Sequence, residues 1–110
     1  MDLTTKKCVP CEGGTEPLEK DKIDEYKKAI NPEWEVVEDK ALKREFKFPD
    51  FKSAMEFVNK VANLAEEEGH HPDFKINYKN VTLELTTHAI GGLSENDFIM
   101  AAKIEQLRSN

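Results

Sequence analysis

Three histidines and two cysteines are the conspicuous reactive side chains of this 110-residue sequence. His70 and His71 are adjacent, and His88 follows after one intervening hairpin pattern. Imidazole, with an unperturbed pKa of about 6.5, both gives and takes a proton near neutral pH. Gathered in one place without a serine or cysteine nucleophile, three of them point to proton-transfer chemistry. Glu66 and Asp73 lie close enough in sequence to act as carboxylate partners. Ser94 and Asp97 have the spacing of a capping box, so Asp97 is first read as a helix-capping acid. Three histidines also match the ligand count of a catalytic zinc site. Adjacent side chains on an extended segment point to opposite faces, however, so His70 and His71 are a poor chelating pair. Cys8-x-x-Cys11 is half of a zinc or redox motif without its partner pair. The blander reading of the histidines, as polar linker residues after a helix, requires that their convergence be accidental.

That convergence depends on the elements around them. Phe74, Ile76 and Tyr78 alternate with polar residues, as do Val81, Leu83 and Leu85, with Lys79-Asn80 between the two runs. A two-residue turn there pairs Tyr78 with Val81, Ile76 with Leu83 and Phe74 with Leu85, all on one face. Extended backwards, the same register sets His71 opposite His88. Before this hairpin, Asp50 reads as an N-cap and Gly69 as a C-terminal cap. Between them Phe51, Ala54, Met55, Val58, Val61, Ala62 and Ala65 form a helical stripe. Phe57 and Leu64 fall off the stripe and either widen it or meet another subunit. Upstream, Pro17 opens a helical pattern through Leu18, Ile23, Tyr26 and Ile30, closed by Asn31-Pro32. Trp34 to Val37 and Leu42 to Phe48 read as a further pair of antiparallel strands. Leu93 and Phe98 have staple spacing around the last helix, which continues through Met100, Ala101, Ile104 and Leu107.

The expected fold is therefore α+β: a four-stranded antiparallel sheet with helices on one face, in the order α-β-β-α-β-β-α. It forms a single domain over residues 1–110, with residues 1–16 as an irregular lead-in. An apolar outer sheet face would need a second copy to cover it. Sixteen basic against 22 acidic residues give a formal charge of -6, and no basic stripe is present. Direct nucleic-acid binding is therefore not expected. No apolar run reaches membrane-spanning length and the N-terminus lacks a secretory pattern, so the expected location is cytoplasmic.

The string Glu66-x3-His70-His71-Pro72-x5-Tyr78-x9-His88-x8-Asp97 resembles the signature of the pterin-4a-carbinolamine dehydratases. The lead-in Cys8-Val9-Pro10-Cys11-Glu12-Gly13-Gly14 is similar to the opening of many bacterial-type members. With the matching order of elements, the resemblance covers nearly the whole chain. It implies a cytoplasmic hydro-lyase that removes water from a 4a-hydroxytetrahydropterin to give the quinonoid dihydropterin, in tetrahydrobiopterin recycling for an aromatic amino acid hydroxylase. No metal or organic cofactor is implied. His70, His71 and His88 are carried over as the pocket histidines: His70 and His88 for acid and base work, His71 to hold the substrate. Glu66, Asp73 and Thr87 are carried over as substrate contacts, with Glu66 also suited to orienting a histidine. Members form homodimers and homotetramers, which agrees with an intersubunit role for Phe57 and Leu64. Animal members also serve as dimerisation cofactors of a transcription factor, so a protein-interaction module is the alternative. The sequence departs from the common pattern at Gly69, where Asp is frequent, at Phe74, where Trp is frequent, and at Asn96, where Arg often precedes the final Asp.

Overall fold

The structure is a computed structural model that describes residues 2–10 and 15–108. Three helices, α1 (Lys20–Lys27), α2 (Phe51–Glu68) and α3 (Glu95–Arg108), interleave with strands β1 (Glu35–Val37), β2 (Ala41–Lys47), β3 (Asp73–Asn77) and β4 (Asn80–Leu85). The expected α+β order is the observed one. Helix α2 carries the caps its sequence announces. Asp50 accepts the Ser53 N–H at 2.7 Å, and Gly69 ends the helix at a left-handed φ of 67°. A residue with a Cβ resists that conformation, which accounts for glycine at this exit. Helix α1 starts later than expected. Pro17 and Leu18 are laid along the chain before α3, where the Leu18 N–H donates to the Leu93 carbonyl at 2.8 Å. A Cβ at Gly92 would come within 2.7 Å of the Pro17 Cβ, so glycine there permits this close approach. The lead-in contains one 3₁₀ turn, Leu3–Thr5, whose Leu3 enters the core.

The strands form one antiparallel sheet in the order β1-β2-β4-β3. Its β3–β4 register differs from the expected one by two residues. Ile76 faces Val81, Phe74 faces Leu83, and Asn77 faces Asn80, with Tyr78-Lys79 as the turn. The reason lies in β2. Strand β4 is central, and Asn80 is already paired with Lys47 and Val81 with Phe46. Holding Asn80 in that ladder moves the turn back onto Tyr78, which adopts a φ of 55°. A shift of two residues preserves which face each side chain occupies, so the apolar alternation survives. It does not keep His71 opposite His88, and His88 lies in a 3₁₀ turn (His88–Ile90) rather than on a strand.

The core lies between the sheet and the helices. Trp34, Leu42, Phe46, Val81, Leu83, Leu85, Phe98, Ile99, Met100 and Ile104 are all fully buried. The ridge α2 buries is Ala54, Phe57, Val61 and Ala65, which places Phe57 at its centre. The intersubunit role expected for Phe57 is thereby corrected: it packs on Phe46 and Phe48 with ring centroids 4.8 and 5.1 Å away. Leu64 is half-buried against the same core. Conversely Phe51 is half exposed and stacks on Tyr78, which lies outside the core. Lys43, Glu45 and Lys47 alternate with the buried residues of β2 and face outward. They are continued by Thr82 and Glu84 of β4 and by Asp73 and Lys75 of β3. The outer sheet face is polar, so the argument for an oligomer from an uncovered apolar face falls away. No helix among the described residues is long and apolar enough to cross a membrane.

Candidate active site

The exits of α2 and β4 meet the start of α3 at one end of the sheet. Gly69, His70, His71, Thr86, Thr87, His88, Ala89 and Asn96 line a pocket of about 420 Å³ there, together with Val9 and Pro10 from the lead-in. The three histidines do converge, although by the chain reversal after α2 and the 3₁₀ turn after β4 rather than by strand pairing.

Each histidine has a different setting. The His70 Nε2 meets Asp97 Oδ1 at 2.6 Å, with the carboxylate fully buried and the ring 12% exposed. Asp97 Oδ2 accepts the Thr87 hydroxyl at 2.8 Å and the Ser94 N–H at 3.0 Å. Asp97 thus serves both as the capping-box acid and as the anchor of His70, and only the first role is read from its spacing. A buried carboxylate with three donors around it holds a fixed geometry, which fixes the imidazole in turn. The His71 Nε2 meets Glu66 Oε2 at 2.5 Å on the open side of the pocket, where both side chains are largely exposed. His88 is exposed and its ring has no hydrogen-bond partner among the described residues. The Thr87 hydroxyl is turned inward to Asp97 and Ser94, 2.7 Å from the Ser94 hydroxyl, and only its surface reaches the pocket. Asp73 opens β3 opposite Glu84, exposed and outside the pocket lining. Among the described residues no three His, Cys, Asp or Glu side chains are arranged to hold a metal ion.

The wall that spacing did not reveal is the lead-in. The Cys8 N–H donates to Glu68 Oε1 at 2.8 Å, and Glu68 Oε2 accepts Lys103 at 2.8 Å. Burial pushes Glu68 upward, but the Cys8 N–H and Lys103 outweigh it and hold this carboxyl below the ordinary range. The same environment acts oppositely on the thiol: burial, then the Glu68 charge, pushes Cys8 from 9.0 up to about 12. A reactive redox cysteine needs the reverse shift. Cys11 and the rest of the motif through Gly14 lie outside the described residues. In a Cys11→Ser background, Cys8 is expected to alkylate with iodoacetamide at pH 8 at least about tenfold more slowly than the unfolded chain, followed by mass spectrometry. Equal rates would contradict the buried setting. Because the folded pKa is raised, the thiol's contribution to stability is complete below pH 9.0 and lost as pH rises toward about 12.

An antiparallel sheet backed by helices, with a buried carboxylate orienting one of three histidines around an open pocket, defines an acid–base site on an α+β scaffold. The family model described as pterin 4 alpha carbinolamine dehydratase matches residues 16–107, and the chain belongs to this family. A relative from Alkaliphilus metalliredigens, named "Putative pterin-4-alpha-carbinolamine dehydratase", is 47% identical over 98% of this chain and 97% of its own length. A relative of the same name from Rickettsia bellii is 50% identical over 97% of this chain and 95% of its own. Among solved structures, a transcriptional coactivator/pterin dehydratase from Brucella melitensis superposes with a TM-score of 0.77. It shares 34% identity, over 83% of this chain and 97% of that one. A pterin dehydratase-like protein identified as a RuBisCO assembly factor in the alpha-carboxysome shares the fold, with a TM-score of 0.58 at 24% identity over 67% of this chain and 87% of that one.

Proposed function

We propose that this protein is a hydro-lyase that dehydrates a 4a-hydroxytetrahydropterin to the quinonoid dihydropterin by histidine acid–base catalysis. The reaction would serve tetrahydrobiopterin recycling beside an aromatic amino acid hydroxylase in the cytoplasm. The observation that carries this reading is the pocket in which His70, anchored by the buried Asp97, shares its walls with His71 and His88. Loss of the 4a-hydroxyl needs a proton delivered to the departing oxygen, and the proton on nitrogen 5 needs an acceptor. His70, held on one nitrogen, and His88, free to meet the ligand, are suited to these two tasks. His71, oriented by Glu66, binds the substrate. Thr87 contributes through Asp97 rather than by its hydroxyl, and Asp73 has no position from which to touch the ring.

The test is dehydration of freshly generated 4a-hydroxytetrahydropterin, followed by absorbance with a chelator present. Wild-type turnover that survives chelation and falls at least about 10²-fold in both His70→Ala and His88→Ala is expected, with His71→Ala acting mainly on KM. A folded wild type without turnover overturns the reading. Loss confined to His71→Ala overturns the division of roles.

One observation favours a protein-interaction role as the alternative, alone or beside catalysis. Phe51, Phe74, Ile76 and Tyr78 form an exposed apolar strip along edge strand β3. The similar Brucella melitensis protein is described as a transcriptional coactivator as well as a pterin dehydratase. We assign this strip first to a second copy of the chain, as a homodimer or a larger assembly. An unpaired strand edge flanked by apolar side chains suits such pairing.

A further inference from the structure

Asn96 departs from the family's common pattern, and the structure gives it a task. Its side chain is 4% exposed at the start of α3. Its Oδ1 accepts the Val9 N–H at 3.0 Å, and its Nδ2 donates to the Val9 carbonyl at 2.6 Å. One amide thus satisfies both backbone groups of Val9, as a paired strand would. The neighbouring Cys8 N–H is taken by Glu68, and the Cys8 thiol reaches the Asn96 carbonyl at 3.7 Å. This clamp holds Val9 and Pro10 as a lining of the histidine pocket, although Val9 itself is 64% exposed. The adjacent Asp97 fixes His70 in the same turn of helix, so one helical turn sets both the catalytic imidazole and the facing wall.

We propose that Asn96 is a positioning residue for substrate affinity: it clamps the strap Cys8–Pro10 so that Val9 and Pro10 form an apolar wall for the flat heteroaromatic ring of the substrate. The inference rests on the dehydratase reading. Apolar side chains fixed in advance bind a planar ring without paying to order a loose segment at each encounter. The strap touches none of the groups that move protons, so its loss appears in KM rather than in kcat.

The test measures both parameters for wild type, Asn96→Ala and Val9→Gly in the full chain. Asn96→Ala is expected to raise KM about tenfold with kcat within about twofold, the order carried by one or two neutral hydrogen bonds. Val9→Gly removes the wall but leaves the clamp atoms and the core in place. It is expected to raise KM several-fold with the wild-type melting temperature, which answers the concern that a buried Asn96 variant fails to fold. An active wild type with unchanged KM in Val9→Gly and in folded Asn96→Ala overturns this inference alone. A kcat loss larger than the KM change also overturns it. A wild type without turnover overturns the dehydratase reading and this inference with it.

Discussion

Asp97→Asn lowers kcat for pterin dehydration by about 10²- to 10³-fold while KM stays within a few-fold, because it reverses the proton on His70 without emptying the site. In the wild type, carboxylate Oδ1 can only accept, so the His70 Nε2 that meets it at 2.6 Å carries the proton. The other ring nitrogen is then left with a lone pair for the substrate. The asparagine amide has one acceptor and one donor. Its oxygen is claimed by the Ser94 N–H and the Thr87 hydroxyl, which bond Oδ2 at 3.0 and 2.8 Å. The amide nitrogen must then face His70 and donate to it. Nε2 becomes the acceptor, the proton moves to Nδ1, and the nitrogen left for chemistry has the wrong protonation. Since the capping bond to Ser94 survives, stability is expected to fall by only about 1–2 kcal/mol. Steady-state kinetics check the rate, and long-range ¹H–¹⁵N correlation of the His70 ring checks the tautomer. A kcat within fivefold of wild type would show that the pair orients nothing the reaction uses.

The parts of this site legible in the sequence were those fixed by local chemistry. Asp50 and Gly69 bracket α2 because capping is decided within a turn, and the alternation of Val81, Leu83 and Leu85 marks the buried face of β4. The hairpin register was not local. Lys79-Asn80 was a sound turn on its own terms, but β4 also pairs with β2, and the Asn80–Lys47 and Val81–Phe46 pairs moved the turn to Tyr78-Lys79. The convergence of the histidines survived that shift because it depends on which elements end together, not on residue-by-residue pairing. Asp97 was legible as a cap and only half legible as a functional group, since spacing reports one oxygen of a carboxylate and not the other. Asn96 carried no signal of its own: a polar residue in a first helical turn has no periodicity to declare that it faces a segment almost ninety residues upstream. Phe57 was misplaced because a helix stripe drawn from small residues such as Ala62 competes with one centred on a large ring. Burial of the larger apolar side chain decides such a contest.

That ring pair also sets the largest effect on stability. Phe46→Ala is expected to cost about 3–5 kcal/mol, lowering the melting temperature by about 15 °C or more. Phe46 is fully buried, with Phe57 at 4.8 Å and Trp34 edge-on at 6.0 Å. Its faces also carry charge: the Arg44 guanidinium lies 4.3 Å and the Arg108 guanidinium 5.6 Å from the ring centroid. Arg44 has only 4% of its side chain exposed and is paired with Glu105, yet its Nε has no hydrogen-bond partner among the described residues. The ring therefore supplies Arg44 with part of the compensation that burial of a cation demands. Truncation removes packing and cation–π contact together, and Phe46→Leu separates them. Leucine restores most of the volume but no quadrupole, so its expected cost of about 1–3 kcal/mol measures the lost ring character. Both variants should keep kcat near wild type well below their midpoints. Phe46 pairs with Val81 at the turn end of β4, whereas the histidine pocket begins beyond Leu85. Urea unfolding at constant m-value measures the costs. An alanine variant losing less than about 1.5 kcal/mol, half the low end expected for such a truncation, or one losing kcat in proportion to its stability, would show that this aromatic cluster is neither the mechanical centre of the fold nor separable from its chemistry.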